Sequence, residues 1–309
     1  MRNQQTIAAS VTCTGVGLHS GQPVSMTLRP APPNTGVVFV NRSGKGTGQL
    51  PATIDHLVPT ELCTAIHSNG FQVKTIEHLL SALTGLEIDN LYVDVTANEV
   101  PVMDGSAAPF VRLIQSVGVL SQHARQPYLK IMAPIEVSEG TKWVRIEPSS
   151  TPQITYTIHY DHPAIKTQTY HHDCSVTNFS EHIASARTFG FLHEVQALWA
   201  RGLGQGGTLD NTVVLSETGV VNESGLRFSN EFVRHKILDL IGDFSLLGMP
   251  FIGHLSAERS GHALHNRLVK QILAQPDKWV ILNADPTPSE ARPVLPTSLH
   301  MPAVALQAS

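Results

Sequence analysis

Glu231-Phe232-Val233-Arg234-His235-Lys236-Ile237-Leu238-Asp239-Leu240-Ile241-Gly242-Asp243-Phe244 carries two superimposed patterns. Val233, Ile237, Leu240, Ile241, Phe244 and Leu247 recur at helical spacing and make one apolar stripe. The spacing predicts a long helix over residues 229–247. His235, Asp239 and Asp243 stand on its other face, each four residues from the next, so that successive members stack on one side. An imidazole and a carboxylate placed this way reach one metal ion. The same face also suits a helix side turned to water.

Outward from this helix the chain alternates strands and helices in blocks. Upstream lie strand-like runs over 128–137, 142–147, 153–160 and 167–174, then a helix over 191–201 ended by Gly202, then a hairpin over 211–221. Downstream come a strand over 251–256 and a helix over 261–274. The first part of the chain has the same order. Strands are expected over 24–29, 36–41, 63–67 and 71–74, the last two flanking Ser68-Asn69-Gly70, a strong hairpin signal. Thr75 is expected to cap a helix that Gly85 ends. A strand over 90–96 follows, then a helix over 107–117 begun by Asp104-Gly105-Ser106. Strands followed by helices, twice, give an α+β class. Residues 121–127 are polar and patternless, which makes them the candidate linker. The expected domains are therefore 1–122 and 128–300, and the proline-rich tail after Pro286 is expected to be extended.

Composition narrows the classes. The 309 residues are 41% hydrophobic and 15% charged, with a formal charge of −4, as in a globular protein and not a disordered one. No basic cluster provides a nucleic-acid footprint. Three cysteines, Cys13, Cys63 and Cys174, make no CxxC pair and no disulfide framework. The polar start has no apolar signal region, and the longest apolar stretch is interrupted by Asp239 and Asp243. A soluble, cytoplasmic chain without a membrane-spanning segment is expected.

Sixteen histidines stand out, and their positions matter more than their number. In Lys74-Thr75-Ile76-Glu77-His78-Leu79-Leu80, Glu77 and His78 fall in the first turn of a helix, whose positive end favours an ionised Glu and a neutral His. Ser260-Gly261-His262-Ala263-Leu264-His265 opens another helix with a histidine fit for acid catalysis or anion binding, or for ordinary capping. Together, His78, His235 and Asp239 would make the two-His, one-carboxylate set of a catalytic zinc site. Glu77 would then serve as base and His262 as acid. HExxH is absent, so a thermolysin-like site is not expected.

These stretches resemble the LpxC family of UDP-3-O-acyl-N-acetylglucosamine deacetylases. The similarity runs in order through Thr14-Gly15-Val16-Gly17-Leu18-His19-Ser20-Gly21, Thr75-Ile76-Glu77-His78-Leu79-Leu80-Ser81-Ala82, Pro101-Val102-Met103-Asp104-Gly105-Ser106, Ala186-Arg187-Thr188-Phe189-Gly190-Phe191, the segment Phe232 to Asp239, and Ser260-Gly261-His262-Ala263-Leu264. Gln5 stands where the family often has Arg, and Thr208 where Ser is usual.

The resemblance implies two similar domains, each a β-sheet packed against two helices, with the active site at their interface. It implies one Zn²⁺ per chain on His78, His235 and Asp239, with Glu77 activating water, His262 protonating the leaving amine and Asp243 orienting His262. Thr188 would help hold the oxyanion, and Lys236 would bind phosphates or the intermediate. Leu62 and Cys63 would edge the site. Lys142, Phe189 and Phe191 would contact substrate. Segment 191–214, with Val195 and Thr208, would line a channel for the fatty chain, although Leu192, Val195, Leu198 and Trp199 also suit plain core packing.

The implied reaction is hydrolysis of the 2-acetamido group of a UDP-3-O-acyl-N-acetylglucosamine in lipid A biosynthesis. The implied partner is a UDP-acyl-sugar of small-molecule size, met by a monomeric enzyme of a Gram-negative bacterium. Two other classes fit the same residues: a zinc deacetylase of another N-acyl sugar, and a binding protein with a structural zinc. A structural site normally has four protein ligands, and the three here leave a position open.

Overall fold

The computed structural model describes residues 2–44 and 48–282. The tail after Pro286 and the expected domain end at residue 300 lie outside the described residues. The described chain is mixed α+β, with several sheets and six α-helices: α1 (Glu77–Gly85), α2 (Ala108–Val117), α3 (Val176–His182), α4 (Val195–Ala200), α5 (Glu231–Phe244) and α6 (His262–Leu273).

Two five-stranded sheets dominate, and they share one topology. The first has the order Val11–Val16, Pro23–Pro30, Leu91–Val95, Val37–Asn41, Gln49–Pro51. The second has the order Ile135–Glu139, Lys142–Glu147, His254–Glu258, Gln153–Tyr160, Lys166–Asp173. In each, two antiparallel hairpins leave a central gap that a later strand fills, parallel to one neighbour and antiparallel to the other. The inserted strands bury Leu91, Val93 and Val95 in one half, and Leu255 and Ala257 in the other. Each is followed by an amphipathic helix, α2 or α6. The repeated order of elements thus extends to strand pairing and direction.

Two further helices, α1 and α5, pack on each other. Their crossing is close because of one residue. A Cβ on Gly242 of α5 would lie 2.1 Å from the carbonyl oxygen of Glu77. Any side chain there would push α1 away. Helix α5 is consequently enclosed on both faces: the apolar stripe is buried, and so are His235, Asp239 and Asp243. The polar face is not the solvated side of a surface helix.

Several local expectations change. The Asn69-Gly70 turn is as expected: both residues have positive φ, 49° and 78°, and Ser68 pairs with Phe71 across it. The expected linker is instead a strand. Val119–Arg125 pairs antiparallel with Asn3–Ile7, and the Gln122 side chain accepts from Asn90 and donates to the Ala31 carbonyl. Its order comes from a partner at the far end of the chain, which local polarity does not reveal.

Thr75 is not a helix cap. It takes φ +55°, and its hydroxyl donates to Glu99 Oε1 at 2.8 Å. The expected strand over 128–137 breaks at Met132-Ala133-Pro134 into Tyr128–Ile131 and Ile135–Glu139. The expected helix over 191–201 reduces to α4 behind a 3₁₀ turn, Leu192–Glu194, while Phe189–Phe191 pairs in parallel with Val213–Leu215. Leu192 and Trp199 are 52% and 54% exposed, so core packing does not account for that apolar face. Helix α3, capped by Ser175, and the strand Trp279–Leu282, an aromatic and β-branched run, are not among the expected elements, although each carries a local signal.

Candidate metal centre

Helix α1 begins where the backbone turns sharply at Thr75, and the Ile76 N–H donates to the Thr64 carbonyl. Glu77 and His78 therefore enter the first turn pointing at α5. With Gly242 setting the spacing, His78, His235 and Asp239 converge, their donor atoms all within 4.8 Å of one another. His78 Nε2 lies 3.7 Å from Asp239 Oδ1, and His235 Nε2 lies 3.3 Å from the same oxygen. The two imidazoles meet edge to face at 5.0 Å between centroids.

The chemistry of this set fits a dication. Burial, with His235 as the next contribution, pushes His78 down to about 3, and burial also lowers His235, so both rings are neutral at physiological pH. His235 Nδ1 donates to the Ala186 carbonyl at 3.1 Å, which leaves the Nε2 lone pair facing Asp239. Burial opposes ionisation of Asp239, but His235 and Lys236 pull it down, and with His235 neutral it is the Lys236 ammonium that holds the carboxylate ionised. Lys236 Nζ donates to Asp239 Oδ2 at 2.5 Å, so one carboxylate oxygen is held by the ammonium and the other faces the imidazoles.

Beside the trio stand two titratable groups, Glu77 and His262. Glu77 is 3% exposed, and burial pushes it up to about 7 against the lowering pull of His262. The helix terminus alone does not keep it in the ordinary carboxylate range. Its Oε2 accepts from the Thr64 N–H at 2.9 Å. Burial would lower His262, but Asp243, 2.8 Å from Nδ1, outweighs it and raises the imidazole to about 9. Asp243 is fully buried and held below the usual carboxylate range, burial being overcome by His262 and His265. Both groups are thus raised, the carboxyl by burial and the imidazole by a neighbouring carboxylate.

Sequence reasoning missed three supporting residues. Thr64 links Glu77 to Asp243: its N–H donates to Glu77, and its hydroxyl to Asp243 Oδ1. His265 donates its Nδ1–H to the Asp243 Oδ2 that also meets His262, at 2.7 Å, and its Nε2 lies within hydrogen-bond distance of Ser260 and Tyr156. Glu99 accepts from Thr75 and from the backbone N–H groups of His19 and Ser20, tying the start of α1 to the 17–20 turn. Only the His262-to-His265 spacing on α6 offered a signal.

The other expected residues take varied places. Thr188 is half-buried two residues after Ala186, its N–H donating to Gly105 and its carbonyl accepting from Val213. That strand is anchored by Arg187, which forms a buried bidentate pair with Glu231 at the start of α5. Phe189 packs edge-on against Phe232 and His235, whereas Phe191 meets Tyr160 and His162.

Leu62 is exposed, with φ +62°, and the adjacent Cys63 is buried. Burial and Glu77 push the Cys63 thiol up to about 12, which rules it out as a nucleophile near neutral pH. Val195 is half-buried in α4 and Thr208 is exposed in the following loop. That loop docks on the first half, Gln205 and Gly206 N–H groups donating to the His19 and Leu18 carbonyls. Lys142 is exposed and starts the strand next to His254–Glu258, which leads into His262; no contact joins it to the trio.

A family model described as LpxC, UDP-3-O-acyl N-acetylglycosamine deacetylase, matches residues 4–274. This chain belongs to the LpxC family. Among its relatives, proteins named UDP-3-O-acyl-N-acetylglucosamine deacetylase from Acidithiobacillus ferrooxidans and Syntrophus aciditrophicus are 47% and 45% identical, over 90% and 89% of this chain and 92% and 88% of theirs. One from Xylella fastidiosa is 44% identical over 96% of this chain and 98% of its own. The LpxC match spans both five-stranded sheets and all the site residues just described.

Proposed function

We propose that this chain hydrolyses the 2-acetamido group of UDP-3-O-[(3R)-3-hydroxyacyl]-N-acetylglucosamine, releasing acetate, with one zinc ion held by His78, His235 and Asp239. The observation that carries this reading is the convergence of that trio with Glu77 and His262, drawn from α1, α5 and α6. The relatives' names supply the substrate.

A zinc ion held by His78, His235 and Asp239 would supply Lewis acidity, polarising the amide carbonyl and acidifying the attacking water. Glu77 takes the water proton as the nucleophile adds. His262, charged by Asp243, gives a proton to the departing amine. The Thr188 hydroxyl donates to the developing oxyanion. Lys236 holds Asp239 in its ligating orientation and adds positive charge near the carbonyl. Leu62 and Cys63 edge the entrance, Lys142, Phe189 and Phe191 meet the substrate, and segment 191–214, with Val195 and Thr208, shelters its fatty chain. The half-exposed apolar face of α4 supports that last assignment.

The domain division expected at 1–122 and 128–300 is kept with the first unit extended to Arg125, because the strand Val119–Arg125 pairs with Asn3–Ile7; the site lies between the two units. Among the described residues no helix is long and apolar enough to cross a membrane, which fits a cytoplasmic enzyme acting on a nucleotide-linked substrate. The working unit is a monomer, since one chain supplies every group in the scheme.

Acetate release from UDP-N-acetylglucosamine substrates with and without the 3-O-acyl chain, on metal-free and zinc-reconstituted protein, tests the reading. Five buried methylenes are worth about 4 kcal/mol, so the unacylated sugar should lose roughly a thousandfold in kcat/KM. Equal kcat/KM for the two would make the chain a deacetylase of N-acyl sugars generally. Full turnover without metal would remove the zinc mechanism.

A further inference from the structure

The buried Asp243 carboxylate accepts three hydrogen bonds. The Thr64 hydroxyl donates to Oδ1, while His262 Nδ1 at 2.8 Å and His265 Nδ1 at 2.7 Å share Oδ2. An ionised carboxylate only accepts, so both ring nitrogens carry a proton. The two histidines stand three residues apart in the first turn of α6, but His262 is partly exposed and His265 is fully buried.

His265 is held on its other side as well. Its Nε2 lies 2.9 Å from the Ser260 hydroxyl and 3.2 Å from the Tyr156 hydroxyl, and Tyr156 donates to the Ser260 carbonyl at 2.8 Å. Burial lowers His265 against the raising pull of Asp243, so the ring is neutral, with Nδ1 donating and Nε2 accepting. The same contacts fix the residue two before His262, and so the turn that carries it.

In the proposed reaction His262 gives up its outer proton. It then keeps its Nδ1 hydrogen bond but no longer cancels the Asp243 charge. A buried charge without a counter-charge is costly unless hydrogen bonds hold it. Resting on that reaction, we propose that His265 is a positioning residue for the acid step: its fixed Nδ1–H orients the Asp243 carboxylate and stabilises it once the His262 proton has gone. A donor on Asp243 counts for more after the imidazolium is discharged than before, so it favours release of the proton. Without that donor His262 should be the weaker acid and titrate at higher pH, whereas removing the Asp243 charge moves it lower. His262 also faces Asp239 on α5, Glu77 and His78 on α1 and His19, and His265 faces Lys236 on α5. Substitution at 265 leaves all of these in place.

The test uses the full, zinc-loaded chain. His265→Leu removes the donor, His265→Met does so with a more adaptable side chain, and His265→Asn puts an amide N–H where Nδ1 stood. In the two apolar variants kcat should fall roughly tenfold at unchanged KM and zinc content. The alkaline limb of kcat/KM should move up by about one unit, part of the strength of a hydrogen bond to a charged group. His265→Asn should recover most of the lost kcat and bring the limb back. NMR titration of the His262 ring, identified by its absence in His262→Ala, should show the same upward shift whatever substrate the enzyme turns over. A limb and ring titration that stay put, or move down as for Asp243→Asn, overturn the role, as does His265→Asn behaving like His265→Leu. Loss of fold in both apolar variants would reduce His265 to a stability residue and overturn it too. An upward NMR shift in a chain that releases no acetate would strike the proposed reaction and leave the coupling of His265 to His262 standing.

Discussion

In the proposed mechanism Glu77 and His262 have opposite protonation needs, and their surroundings differ accordingly. Burial raises the carboxyl to about 7, and the Asp243 carboxylate lifts the imidazole to about 9. As pH rises, kcat/KM should climb while Glu77 ionises, then fall while His262 loses its proton. A bound dication favours ionised Glu77 and disfavours imidazolium, so both limbs should sit lower in the loaded enzyme. Glu77→Gln and His262→Ala should keep zinc and lose about 10²-fold or more in kcat. Zinc loss in either would show that ligand and proton-transfer roles are wrongly divided. Asp243→Asn removes the charge that lifts His262, so the alkaline limb should move to lower pH while metal content stays. An unmoved limb would assign it to another group.

At the scale of elements, the trio depends on how closely α1 approaches α5. Gly242→Ala would drive a methyl into the Glu77 carbonyl, and overpacking of this kind costs about 1–3 kcal/mol. Because His78 rides on α1 and His235 and Asp239 on α5, the variant should bind zinc roughly tenfold more weakly or worse in a chelator competition. Gly85→Ala is the control, since its Cβ would meet the Phe179 ring at 2.2 Å, at the other end of α1. It should lower the melting temperature with little change in zinc affinity. Equal zinc loss in both variants would reduce Gly242 to a general packing role.

For the whole molecule, the proposed metal joins the two halves, because its ligands come from both sides of the α1–α5 contact. Zinc at 100 times its Kd should stabilise the fold by about 2.7 kcal/mol, and a gain of that size should raise the melting temperature by roughly 5–10 °C. Chelation should reverse the rise, and His78→Ala should abolish it. A melting temperature indifferent to metal would place the binding energy outside this contact.

Much of this was legible in one dimension because its signals are local. Helical spacing in 231–244, the Asn69-Gly70 turn and the repeated order of strands and helices depend on neighbours within a few residues. Helix position and residue type singled out His78, His235, Asp239, Glu77 and His262, and the resemblance of ordered motifs supplied the family. What stayed hidden depends on partners distant in sequence. The strand Val119–Arg125 is ordered by the N-terminal strand, and Thr64 and His265 acquire roles only when α1, α5 and α6 bring Glu77, Asp243 and His262 together. The polar face of α5 could equally have met water; only its burial against α1, allowed by a glycine that admits a backbone oxygen, brought His235 and Asp239 together with His78 as a donor set that could hold a metal ion. Spacing along a helix fixes which residues share a face, whereas packing between helices decides what that face meets.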